Sequence, residues 1–222
     1  MPIPSTSPVE PARRQLLRDT VFEKVREAIL DGTLQPGERL VDEQIEQWLG
    51  VSRTPVRDAM NELERIGLVE MAPNRYTRVA SPREDEAIEA LQALGVILGG
   101  VVRLAVPRLD AAATHEVLAQ VERTVQALRS GVVLDANRNA VALFKMLTDR
   151  CGNALLIRLC EQTIDGFAFK LRHARLGEQI DFEAQADGFV ALGERIAAGD
   201  AVGAELATEL LHHLPAGDAP AE

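Results

Sequence analysis

Apolar residues recur at three- and four-residue intervals early in the chain, at Leu17, Val21, Val25, Ala28 and Ile29. That spacing predicts a helix over Arg14–Asp31, with Gly32 just past its end. Gln35-Pro36-Gly37 reads as a turn. Asp42 is placed to cap a short second helix that turns Ile45, Trp48 and Leu49 inward and stops at Gly50. A third helix follows almost at once, with Thr54 as its cap and Pro55 at its first position, where a missing N–H costs nothing. Val56, Ala59, Met60 and Leu63 form its buried stripe, and Gly67 closes it. The pattern then becomes strand-like. Leu68-Val69-Glu70-Met71 and Tyr76-Thr77-Arg78-Val79 flank a Pro73-Asn74 turn, which predicts a hairpin. Three helices followed by a hairpin is the order of a winged helix-turn-helix.

Ser81-Pro82 interrupts this pattern, and from Glu84 onward the periodicity is helical alone. Helices are predicted over Glu84–Val106, Ala111–Ser130, Asp135–Cys151, Ala154–Arg175, Asp181–Ala198 and Asp200–His213. Breaks fall at Pro107, Gly131, Gly152-Asn153, Gly177 and Gly199-Asp200. The expected fold is mainly α: a winged helix-turn-helix over 14–80, a linker at 81–83 and an all-helical bundle over 84–214. A flexible arm is expected at 1–13 and a frayed tail at 215–222.

Hydrophobic residues make up 46% of the 222 and aromatic residues only 4%, which suits packed helices rather than a β-sandwich. The Pro- and Ser-rich start does not read as a signal peptide, and no apolar run is expected to approach the length of a membrane span. Cys151 and Cys160 lack a metal or redox spacing, so a reducing cytoplasm is the default compartment. The net charge of −10 looks wrong for a nucleic-acid binder. Residues 1–80 hold 11 Lys and Arg against 13 Asp and Glu, a net of −2, and the remainder carries −8. Phosphate binding needs a local basic patch only. No Ser-His-Asp arrangement, framed carboxylate pair, phosphate-cradling glycine loop or metal cluster points to an enzyme.

In a helix-turn-helix joined through Gly50-Val51-Ser52, the second helix inserts its N-terminal end into the major groove of DNA. Ser52, Arg53, Thr54 and Arg57 stand there. Hydroxyls and N–H groups at a helix start suit phosphate oxygens, and arginines suit guanine O6 and N7 or phosphate. Arg75 at the hairpin tip can reach an adjacent minor groove or backbone. The competing reading is that these arginines solvate the surface or pair with Glu62 and Glu64.

The run Gly50-Val-Ser-Arg-Thr-Pro-Val-Arg-Asp-Ala-Met60 resembles the GntR family of bacterial regulators. Gly32-Thr-Leu-Gln-Pro-Gly-Glu-Arg-Leu40 before it and Gly67-Leu-Val69 after it extend the likeness. The resemblance implies a homodimer on a short palindromic operator, with repression the commoner mode. It also implies DNA contacts by Ser52, Arg53, Thr54 and Arg57. The family's wing reads Arg-Gly, whereas this chain has Arg75-Tyr76. Glycine lets a backbone approach DNA closely, so a different wing contact is expected.

Cys151-Gly-Asn-Ala-Leu-Leu156 and Ile196-Ala-Ala-Gly-Asp200 resemble the FCD domain of the FadR-like branch. Many such domains hold a divalent metal through an Asp and a His one helical turn apart plus two later His. Those positions fall on Ala140, Phe144, Phe189 and Leu211. An Arg-x-x-x-Glu pair of the domain's first helix falls on Leu94 and Leu98. Methyl and phenyl groups cannot ligate a cation, so no metal and no other cofactor is expected. The register at Leu211 is open by a residue, and His173, His212 and His213 form the rival, relocated site. The six apolar side chains either line a pocket for an apolar effector or fill an old cavity as packed core. The second case would leave a constitutive DNA-binding regulator without an effector.

Overall fold

A computed structural model of the chain describes residues 11–73, 75–172 and 180–215. The expected tail at 216–222, the first ten residues of the arm, Asn74, His173, Arg175 and Gly177 lie outside them. The chain divides into two compact units, Met1–Ser81 and Pro82–Glu222.

In the first unit, α1 (Pro11–Leu30), α2 (Asp42–Leu49) and α3 (Arg53–Arg65) precede a hairpin of β1 (Val69–Ala72) and β2 (Tyr76–Val79). Val21, Val25 and Ile29 of α1 are fully buried with Val56, Ala59 and Leu63 of α3. The strands are antiparallel, with Val69 opposite Val79 and Ala72 opposite Tyr76. Arg39 bridges Arg78, and Leu40 N–H donates to Thr77 O at 2.8 Å, so the segment before α2 runs along β2.

Four sequence expectations are corrected here. Val41 and Ser52, not Asp42 and Thr54, are the N-caps of α2 and α3. Pro55 is therefore the third residue of α3, still within the turn whose N–H groups have no intrahelical partner. Leu17 is 38% exposed, and between Leu16 and Thr20 no residue of α1 is buried. Trp48 is 53% exposed: in this two-turn helix Ile45 is buried and Leu49, one turn on, half-buried, and Trp48 falls to the side of that strip. Gly50 ends α2 at φ 65°, ψ 34°, the left-handed geometry that turns the chain into α3 within three residues.

The second unit contains α4 (Ala87–Ala105), α5 (Ala111–Arg129), α6 (Val133–Thr148), α7 (Ala154–Lys170), α8 (Phe182–Ala197) and α9 (Ala201–Leu211). Asp110, Asn153, Asp181 and Asp200 cap α5, α7, α8 and α9 by accepting backbone N–H groups. α4 packs on α9, α7 and α6, while α5 packs on α8 and α6. The stretch Glu84–Arg108 reaches a mean hydropathy of 1.7 over 18 residues, enough by length and composition to cross a bilayer. This corrects the expectation that no run approaches that length. Its apolarity has a packing cause: Leu94, Leu98, Val101, Val102 and Ala105 are buried at the centre of the bundle.

Close packing of α4 on the chain's end requires Gly95. A Cβ there would lie 2.6 Å from His212 Cβ and 2.8 Å from Leu214 Cδ1. Overpacking costs about 1–3 kcal/mol, and alanine's better helix propensity returns up to about 1 kcal/mol. Gly95→Ala is therefore expected to lower stability by about 1 kcal/mol, read as a lower urea midpoint with an unchanged slope.

Candidate nucleic-acid interface and helical cavity

Ser52, Arg53, Thr54 and Arg57 are all exposed at the start of α3, while Pro55, Val56, Ala59 and Met60 face inward. The helical period thus sends Arg53 and Arg57, one turn apart, to the same outer face. Ser52 makes no side-chain capping bond, so its hydroxyl stays available at the helix start. Arg53 Nε lies 3.2 Å from Asp42 Oδ2, a surface pair that holds the guanidinium near the mouth of α2. The competing pairing of these arginines with Glu62 and Glu64 is not the arrangement seen: Glu62 pairs with Arg65, which holds its carboxyl below the usual range.

Arg53, Arg57 and Arg75 line one groove, of about 490 Å³, between α3 and the hairpin. Arg39 lines it too, and sequence reasoning had not selected it. Its signal was the exposed–buried alternation of Arg39-Leu40, which marks the strand-like segment beside β2. Asp42, Glu43 and Glu64 share the groove, so its positive character rests on a few placed guanidiniums. At the wing, Tyr76 is extended strand paired with Ala72. Its ring lies 4.6 Å beneath the Arg78 guanidinium, which also donates twice to Glu70 Oε2 at 2.9 and 2.7 Å. Tyrosine in the place of a wing glycine thus stacks within the hairpin and needs no left-handed backbone.

In the helical unit, Leu94, Leu98, Ala140, Phe144, Phe189 and Leu211 line one cavity of about 90 Å³. All but Ala140 are buried. Phe144 packs against Phe189 with centroids 6.2 Å apart and against the His212 ring at 5.3 Å, edge to face. The four positions onto which the resemblance would carry metal ligands, Ala140, Phe144, Phe189 and Leu211, present alkyl and phenyl groups, which have no lone pairs for a cation. The donor set does not fit a divalent metal, and among the described residues no three His, Cys, Asp or Glu gather.

His212, which the sequence offered as a member of the relocated metal site, stands beside Leu211. It is 6% exposed and lines the cavity beside Leu211. Its Nδ1 lies 2.6 Å from Thr208 O. A carbonyl oxygen only accepts, so Nδ1 carries the proton and Nε2 is left as an acceptor. Burial pushes the imidazole from 6.5 down to about 4, the Thr208 carbonyl opposes this, and neighbouring His213 adds slightly to it.

The sign of the consequence follows. An unfolded chain takes up this proton as pH falls through about 6.5, whereas the folded chain resists until about 4. Stability contributed by the neutral ring is therefore present above 6.5 and lost on the way down to 4. Between pH 7 and 5 the loss from this group is expected to be about 2 kcal/mol. Urea midpoints of the wild type and His212→Gln at both values check it: the variant should lack that part of the decline.

A helix-turn-helix with an arginine-bearing second helix and a wing, followed by a helical unit, defines a DNA-binding transcription regulator rather than an enzyme. Two family models match: "Bacterial regulatory proteins, gntR family" over residues 17–79 and "FCD domain" over 89–214. The chain belongs to the GntR family and carries an FCD domain. It is 34% identical to the HTH-type transcriptional regulator Mce2R of Mycobacterium tuberculosis over 39% of this chain and 36% of that one. It is 35% identical to a probable D-xylose utilization operon transcriptional repressor of Paenarthrobacter nicotinovorans, over 41% and 42%. These alignments span well under half of either relative. The M. tuberculosis regulator Rv0494 is 26% identical over 94% of this chain and 91% of its own. Among solved structures, Escherichia coli McbR/YncC shares the fold with a TM-score of 0.70 at 22% identity, covering 88% of this chain and 93% of that one.

Proposed function

We propose that the protein is a cytoplasmic, homodimeric repressor. It binds a palindromic operator through Ser52, Arg53, Thr54, Arg57 and Arg75 and takes an apolar small-molecule effector in the cavity of its helical unit. The observation that carries the DNA reading is the groove that gathers Arg53, Arg57 and Arg75 on one face of the first unit. A duplex read by such a helix needs a second copy one helical turn away to gain affinity, hence the dimer and the palindrome. Val202, Leu206 and Leu210 stand half-exposed at four-residue spacing along α9, apolar surface that a second copy would cover. Repression follows the family's commoner mode and the likeness to the P. nicotinovorans repressor.

The effector reading is supported by the cavity itself. The six apolar side chains, four of them at the positions to which the resemblance carries metal ligands, do not close it, whereas a packed-core sensor would leave little space. Selection of bound duplexes from a randomised pool tests the DNA reading. It is expected to return a two-fold-symmetric site that binds two chains. An asymmetric site bound by one chain would contradict the dimer. A reporter with that site upstream should be silenced by the protein and restored by an apolar metabolite extract.

A further inference from the structure

Asn137, Gln185 and His212 are the polar members of the cavity's lining, and among the described residues that line it none is charged. Each of the three directs a hydrogen-bond donor at the backbone. Asn137 Nδ2 donates to Ala168 O at 2.8 Å, and Gln185 Nε2 donates to Leu211 O at 2.9 Å. The Gln185 amide nitrogen also lies 3.3 Å from His213 Nε2, and His212 Nδ1 is engaged by Thr208 O. What remains on these groups are the Asn137 and Gln185 amide oxygens and His212 Nε2 as acceptors, with one Asn137 N–H as a donor. Among the hydrogen bonds of the described residues, none occupies His212 Nε2, although the ring is buried.

We infer that the cavity selects a small, neutral, apolar molecule bearing an O–H or N–H donor, held by His212 Nε2, and rejects carboxylate anions. This inference rests on the proposed effector role of the cavity and names the chemistry of its occupant. The described lining is largely apolar and uncharged and His212 Nε2 presents a lone pair, so a carboxylate would lose its hydration with no cation to compensate it. A donor group instead gives His212 Nε2 the hydrogen-bond partner that it lacks among the described residues. The neutral ring keeps this acceptor throughout the physiological range, because protonation is deferred to about pH 4. Size agrees: about 90 Å³ is smaller than the ~150 Å³ cavity that holds benzene, so the polar tip and a few carbons fill it.

The test uses the full chain and three probes of similar size in ligand-observed NMR titrations at pH 7. Butan-1-ol and diethyl ether are isomers that differ in having a donor, and butyrate adds the negative charge. Butan-1-ol is expected to bind about fivefold more tightly than the ether, the worth of one hydrogen bond, with no saturable binding of butyrate. His212→Leu should remove the preference for the alcohol while leaving ether binding in place. Equal affinity for alcohol and ether, or binding of butyrate, overturns the inference but leaves the effector cavity standing. Failure of all three to bind overturns the cavity reading and the inference with it. The wild-type series decides this even where the variant does not fold.

Discussion

Arg53→Ala combined with Arg57→Ala is expected to abolish recognition of the selected operator while leaving the protein folded. Both side chains are exposed, and the Arg53–Asp42 pair is a surface bridge, so stability should move by less than about 1 kcal/mol. A good bidentate contact from arginine to guanine discriminates by about 1–3 kcal/mol. Losing two should weaken binding by roughly 100-fold or more, and the dimer doubles the count. If the two guanidiniums contact phosphate instead, the loss should be similar for all duplexes and the salt dependence should flatten. Fluorescence anisotropy against operator and scrambled duplex, at several salt concentrations, separates the two. Arg75→Ala should cost less, since the wing carries Tyr76 and Arg78 locked to each other and to Glu70.

Phe144→Ala should have the largest effect on stability. Its ring is 3% exposed, meets Phe189 and His212, and borders the existing cavity. Truncating a buried phenylalanine costs about 3–5 kcal/mol, and here the new void would merge with the old one. The urea midpoint should fall accordingly. Benzene should then bind the enlarged cavity and restore part of the loss, because ligand held only by the folded state stabilises it by mass action. Stability lost with no rescue by any apolar compound would mean that the bundle collapses onto the void and that the cavity is not a binding space.

The helices were legible wherever an apolar stripe met a strong punctuation mark. Asn153 and Asp200 cap helices at the sequence breaks, and Asp110 and Asp181 cap them three and four residues past Pro107 and Gly177. Caps at α2 and α3 were misread by one or two residues, because Asp42 and Thr54 are good caps by type while the backbone turns at Val41 and Ser52. Trp48 was misplaced because size and hydropathy suggest burial, whereas a two-turn helix shields only one strip. The apolar replacements at 140, 144 and 189 were visible only through resemblance, since the members of one cavity come from helices far apart in sequence. His212 was legible as a metal-site rival and not as a member of the cavity lining, because the register at this helix end is open by one residue. Arg39 was missed because its groove is formed by strand pairing, which sequence spacing alone does not specify.

The central claim, that the start of α3 reads base edges in the operator, is tested most directly by a protein–DNA double-mutant cycle. Each operator guanine is replaced in turn by 7-deazaguanine, which lacks the N7 acceptor, and binding is measured for wild type and Arg57→Ala. The account predicts one guanine per half-site at which the substitution weakens the wild type yet has no further effect on Arg57→Ala. Additive losses at every guanine would place Arg57 away from the bases and contradict it.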